Sequence, residues 1–237
     1  MNSIRSGLAL SALFLTAALV TAQTPAPNVV PTPRGNQSRM ESAQREVVAA
    51  GQTVANFTND PNMTWFRDHA REARGLLICS MVVKAGFVLG GSGGRCVLVA
   101  RADDDFSGPA FYTIGTASIG FQAGVQRSEI ILLAMTQKAV DSLMSSTLKL
   151  GAGASVAAGP VGAGTGATTT DFVSFSRSSG IYGGVNVSGS SIRPTASFNR
   201  AYFGKAVTPI EIIVKRAVHN PHADETLMAP VRKLFGK

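Results

Sequence analysis

The sequence predicts an α+β fold: a mainly antiparallel sheet, sandwich- or barrel-like, flanked by N-terminal and C-terminal helices. Three observations predict it. Helical periodicity with capping residues occupies the chain up to Gly75, short Val/Ile/Phe-rich runs punctuated by Gly and Asp clusters fill the middle, and capping signals return near the C-terminus. Regular amphipathic helices do not separate the strands, which disfavours a doubly wound parallel sheet.

The N-terminus reads as an export signal. Arg5 precedes the apolar run Gly7 to Val20, and Val20-Thr21-Ala22 places small residues before Gln23, so residues 1–22 read as a signal peptide. The run of 14 residues falls short of the roughly 20 that span a bilayer. Residues 23–37, rich in Pro and polar side chains, read as an extended linker, and residues 38–237 as a single domain.

The first helix starts where Ser38-Arg39-Met40-Glu41 fits a capping box. Met40, Val47 and Val54, with Ala43, Ala50 and Phe57, recur every seven residues and form one apolar stripe, to pack on the sheet or lie on a membrane. Glu41 and Arg45 pair at i,i+4. A second helix is signalled by Asp60 as N-cap and Pro61 at the first helical position, and Gly75 closes it. It carries Trp65, Phe66, Arg67, Arg71 and Arg74, which read as a solvated basic face or as an anion-attracting patch beside the only Trp.

Strands follow in LLICSMVVKAGFVL, RCVLVAR, AFYTIG and EIILLAM. Gly90 to Gly94 read as one hairpin loop, and Asp103 to Asp105 with Gly108-Pro109 as another. A short helix from Gln137 to Met144, capped by Thr136, interrupts the strands, which resume through LKLGAGASVAAG, TTTDFVSFSRS and IYGGVNVSGSSI. Thr208-Pro209-Ile210-Glu211 opens another helix with a capping box, Val207 stapling Ile212. A last helical stretch from Pro221 bends or restarts at Pro230.

Composition and motifs narrow the chemistry. With 22 basic against 14 acidic residues the formal charge is +8, which favours anionic partners. Export counts against nucleic acid among them. Cys79 and Cys96 are even in number in an oxidising compartment and read either as one bridge or as buried apolar thiols.

Gly162 to Ala167 satisfies GxGxxA formally, yet a strand-like TTTDFVSFS follows where a helix should. Ser155, within Gly153 to Ala157, is the nearest match to a nucleophile elbow, with His69, His219 or His222 as the base it would need. His219 to Glu225 has metal-capable groups, but Pro221 disrupts a ligand face. Asp103 to Asp105 lack the spaced ligands of a calcium loop and read as a solvated turn. No metal, cofactor or catalytic residue is nominated.

Several ordered blocks carry a family resemblance. ARGLLICSMVVKAGFVLGGSGGRCVLVAR, GPAFYTIGTASIGFQAGVQRSEIILL, LGAGASVAAGPVGAGTGA and SFSRSSGIYGGVNVSGSSI, followed by FNRAYFG and VTPIEII, resemble the SYLF domain, also called the Ysc84 or DUF500 type. Phe106 stands where many members carry Trp. The resemblance implies phospholipid binding without enzymatic activity, and a preference for phosphoinositides in eukaryotic members. Some fungal members bind actin, an activity not expected of an exported protein.

The expectation is a non-enzymatic, exported domain, periplasmic or secreted, that associates peripherally with anionic phospholipid. Its expected lipid-binding residues are Lys84 and Arg95, flanking the Gly-rich hairpin, with Arg67, Arg71 and Arg74 on the preceding helix. The alternative is a periplasmic or cell-surface structural or adaptor protein that binds another protein through a sheet edge or the Met40-to-Phe57 stripe.

Overall fold

A computed structural model of the chain describes residues 33–86, 89–103, 105–119, 124–160 and 170–236. The expected signal peptide, linker residues 23–32 and the GxGxxA segment lie outside the described residues. Helix α1 (Pro33–Asn59) begins inside the stretch read as linker. Proline lacks an N–H and suits a first helical turn, so Pro33 starts the helix, and Ser38 sits within it, its carbonyl accepting from Ser42 Oγ at 2.8 Å. The predicted stripe faces inward: Ala43, Val47, Ala50, Val54 and Phe57 are fully buried, and only Met40 is exposed.

Asp60 Oδ1 accepts from Asn62 N at 2.8 Å and caps a 3₁₀ turn, Pro61–Met63, that leads into α2 (Thr64–Ala70). Gly75 opens the next strand rather than closing the helix. A Cβ there would lie 2.9 Å from Val99 O, so the close strand contact calls for glycine.

The strands are β1 (Gly75–Gly86), β2 (Leu89–Ala102), β3 (Asp105–Ile119), β4 (Gly124–Ala134), β5 (Leu148–Lys149), β6 (Val156–Ala158), β7 (Phe172–Ser178), β8 (Ile181–Gly184) and β9 (Ser191–Pro194). They form one sheet in the order β5-β9-β3-β2-β1-β4-β7-β6, with β8 also paired to β7. All pairings are antiparallel except β6 with β7, and the sheet curls into a half-barrel. Between β4 and β5, α3 (Gln137–Leu143) starts as predicted, with Thr136 Oγ1 accepting from Ala139 N at 3.0 Å.

Gly90 to Gly94 are not a hairpin loop but part of β2, paired on both sides with β1 and β3. Close approach explains Gly94, where a Cβ would meet Met81 O at 2.4 Å. That contact sits at a bulge in β1. Register against β2 and against β4 shifts by one residue around Ser80, which is absorbed as the extra residue toward both neighbours. The disulfide between Cys79 and Cys96 joins β1 to β2 at this point.

Each face of the sheet carries its own core. On one face Leu76, Ile78, Val97, Ile131 and Phe175 pack against α1, α2 and the C-terminal segment. On the other, Leu77, Leu98, Tyr112, Leu132 and Ile192 pack against α3 and the turn near residue 212. Helix α4 (Ala196–Phe203), absent from the sequence prediction, ends at Gly204 with φ 72°. A π-helical turn (Ile210–Val214) follows the predicted capping box: Thr208 N donates to Glu211 Oε2 at 2.8 Å, and Glu211 N to Thr208 Oγ1 at 3.3 Å. A second π-helical turn (Asp224–Met228) leads into α5 (Ala229–Leu234), where Pro230 lies in the first turn. Gly51 of α1 touches that segment so closely that a Cβ would lie within bonding distance of Thr226 O.

Candidate functional site: an arginine-lined cleft

Where β1 begins and β2 ends, the sheet register gathers distant residues. Arg74 N donates to Ala134 O at 2.7 Å, and Arg101 N to Arg74 O at 2.8 Å, so Arg74 and Arg101 are neighbours across the β1–β2 pair. The end of β4 turns there into α3, and Ser107 Oγ donates to Ile213 O at 2.8 Å, drawing the π-helical turn onto β3. The result is a cleft of about 410 Å³ lined by Arg74, Arg101, Asp103, Val140, Val214 and Arg216, among others.

The lining holds one carboxylate, Asp103, and it is paired with Arg216. Arg216 Nη2 donates to Asp103 Oδ2 at 2.9 Å, and the Asp103 side chain is 89% exposed. Both hold left-handed backbones, φ 52° at Asp103 and 49° at Arg216. Arg101 is committed to the scaffold: Nη2 donates to Arg71 O at 3.0 Å, and the guanidinium stands 5.2 Å from the Phe235 ring centroid. Its Nε is buried without a hydrogen-bond partner. Arg74 is exposed. Below the hairpin, Arg232 grips Asp105 through two bonds of 3.0 Å, fastening α5 to the start of β3. Such a surplus of guanidinium attracts phosphate and carboxylate groups, to which its fork of donors is matched.

The five expected residues do not form one face. Arg74 lines the cleft. Arg71 lies behind it, its guanidinium against Gly236. Arg67 is spent on the turn between α1 and α2, donating to Thr58 O, to Asp60 O and to Thr64 Oγ1. Arg95 lies on the α1 side of the sheet, 3.4 Å from Glu46 and 5.0 Å from the Phe198 ring centroid. Lys84 is exposed on the opposite side: Arg95 pairs with Met81, and Met81 is three residues from Lys84. Trp65 is buried, stacked on His69 at 3.9 Å, and is no interfacial anchor. Sequence reasoning missed Arg101 and Arg216, and read Asp103 only as a turn.

Ser155 has a structural occupation. Its Oγ donates to Asp171 Oδ2 at 2.9 Å and accepts from Asp171 N at 2.8 Å, while Thr136 and Lys138 donate to the same carboxylate. The Ser155 backbone N–H, first among these partners, holds the Asp171 carboxyl well below the usual carboxylate range. A carboxylate so stabilised is a poor base. Ser155 has no histidine among its hydrogen-bond partners in the described residues: His69 binds Trp65 O, His219 binds Asp224, and His222 meets Tyr202. Among the described residues no group of three or more His, Cys, Asp or Glu is placed to hold a metal ion. None of the described helices is long and apolar enough to cross a membrane.

Comparison with known proteins adds a relationship. A family model described as Las17-binding protein actin regulator, Ysc84, matches residues 115–234. Protein YSC84 of Saccharomyces cerevisiae is 32% identical over 202 residues, covering 78% of this chain and 42% of its own. LAS seventeen-binding protein 3 of the same organism is 31% identical over 199 residues, 77% of this chain and 43% of its own. The human SH3 domain-containing YSC84-like protein 1 is 30% identical over 149 residues, 60% of this chain and 43% of its own. The chain thus spans less than half the length of these curated relatives. No solved structure matches.

Proposed function

The chain belongs to the Ysc84, or SYLF-domain, family, and on that premise we propose that it is a non-enzymatic, exported domain that binds anionic phospholipid headgroups in the arginine-lined cleft. One observation carries the reading: Arg74 and Arg216 line a single cleft in which Asp103 is the one acidic lining residue. Near a membrane surface each such cation contributes about 1 kcal/mol of attraction to anionic lipid. The lipid-binding set is therefore Arg74 with Arg216, in place of a patch shared with Lys84 and Arg95. Sedimentation with phosphatidylcholine vesicles, with and without phosphatidylserine, tests it. Binding only to the anionic vesicles, weakening as salt rises, is expected; equal failure with both at low salt overturns the reading.

A second reading, an adaptor for a protein partner, rests on β8, whose Ile181 is 76% exposed on a short strand at the sheet margin. The family description and a relative's name also speak of binding another protein. One stoichiometric protein co-purifying with the chain, with vesicles left unbound, favours it.

A further inference from the structure

The π-helical turn beside the cleft is apolar on two sides. Of Ile210-Glu211-Ile212-Ile213-Val214, Ile212 and Ile213 are buried against the sheet, whereas Ile210 and Val214 are 43% and 62% exposed. A turn that only covered the sheet would need apolar groups on its inner side alone. The outer pair is also held firmly. Lys215 N donates to Ile210 O at 2.9 Å, Ser107 Oγ fixes Ile213 O from beneath, and the Thr208–Glu211 box fixes the entry.

The charges around this pair match an anionic surface. Val214 itself lines the cleft with Arg74, Arg101 and Arg216. Lys205 and Lys215 lie close enough to act on the Glu211 carboxylate. Four cations, Arg74, Arg216, Lys205 and Lys215, thus lie near the exposed pair, with Asp103 and Glu211 as the anions beside them. Single exposed apolar residues are ordinary, but two on one rigid turn within a basic ring form the combination that peripheral membrane elements use.

We propose that the Ile210–Val214 turn inserts Ile210 and Val214 among the lipids of an anionic bilayer while the surrounding basic side chains stay at headgroup level. The inference rests on the lipid reading above and adds the element that enters the membrane and the orientation it imposes.

The test uses the purified full chain and phosphatidylcholine–phosphatidylserine vesicles, with or without brominated acyl chains. In Val214→Trp and Ile210→Trp, the new indole emission should shift to shorter wavelength on vesicle addition and be quenched severalfold by brominated lipid. The buried Trp65 of the unsubstituted chain should change little. Val214→Asp should lower vesicle binding about tenfold with an unchanged thermal midpoint. Vesicle binding without shift or quenching in either Trp variant, or undiminished binding by Val214→Asp, overturns insertion and leaves headgroup binding standing. No vesicle binding by the unsubstituted chain overturns both. A doubled mass by light scattering that Val214→Asp abolishes makes the turn a contact between copies and likewise overturns insertion.

Discussion

The carboxylate of Asp103 and the guanidinium of Arg216 meet at 2.9 Å in the lining of the cleft, and both residues hold a left-handed backbone. For L residues that conformation costs on the order of 1 kcal/mol each, so the hairpin and the π-helical turn must hold them there. Asp103 thereby supplies an internal counter-ion that an incoming anion must displace. Asp103→Asn keeps a residue type that tolerates this backbone and frees Arg216. Affinity for anionic vesicles should rise about fivefold at low salt, the equivalent of roughly 1 kcal/mol, as read by sedimentation across a salt series.

Arg74 and Arg67 separate binding from folding. Arg74→Ala should weaken vesicle binding by about 1 kcal/mol and leave stability within about 0.5 kcal/mol. Arg67→Ala strips three donors from the turn between α1 and α2. It should cost about 2 kcal/mol in denaturant unfolding and leave vesicle affinity unchanged.

Asp171 contributes stability that acid removes. Its folded carboxyl is depressed, chiefly by the Ser155 backbone N–H, with Lys138, Ser155 Oγ and Thr136 adding to it. The stability it contributes is fully present above the ordinary aspartate value of 3.8 and is lost as pH falls through the lower folded value. Asp171→Asn should cost about 2 kcal/mol at neutral pH and flatten the acid side of a thermal-midpoint profile. Glu46 works in the opposite sense. Burial raises its carboxyl despite Arg95, so its charged form is disfavoured in the fold and that penalty eases as pH falls.

Gly51→Ala should be among the most damaging small substitutions. The new methyl would collide with the Thr226 carbonyl and force α1 away from the C-terminal segment. A loss of about 2–3 kcal/mol is expected. Thr226→Ala keeps the backbone carbonyl in place and should not rescue it.

Cys79 and Cys96 close a loop across 17 positions. Replacing both by Ala should cost about 3 kcal/mol by releasing unfolded-chain entropy. Reduction of the unsubstituted protein should reproduce the loss in denaturant titrations.

What the sequence made legible is local. The Met40-to-Phe57 stripe, the Thr136 cap and the Thr208–Glu211 box each depend on residues within a few turns of one another, and each stands as read apart from the exposed Met40. Gly90 to Gly94 misled because the same composition serves a tight loop and a crowded strand, and only the neighbouring strands decide between them. The cleft was legible in Arg74 alone. Arg101 reaches it through strand register, and Arg216 through a turn tied to β3 by the Ser107–Ile213 bond across 106 positions. Periodicity carries no trace of either.

The extra residue at Ser80 reverses odd and even along β1. Before it, Leu76 and Ile78 look toward α1; after it, Met81 and Val83 do, and Lys84 looks away. Deleting Ser80 would restore plain alternation, Cys79 away and Met81 toward the helix, so a homologue that aligns with a gap here would still turn the counterpart of Lys84 away from α1. What the insertion alters is the count and not the side, so facing past this point follows strand pairing and not odd–even spacing from Leu76.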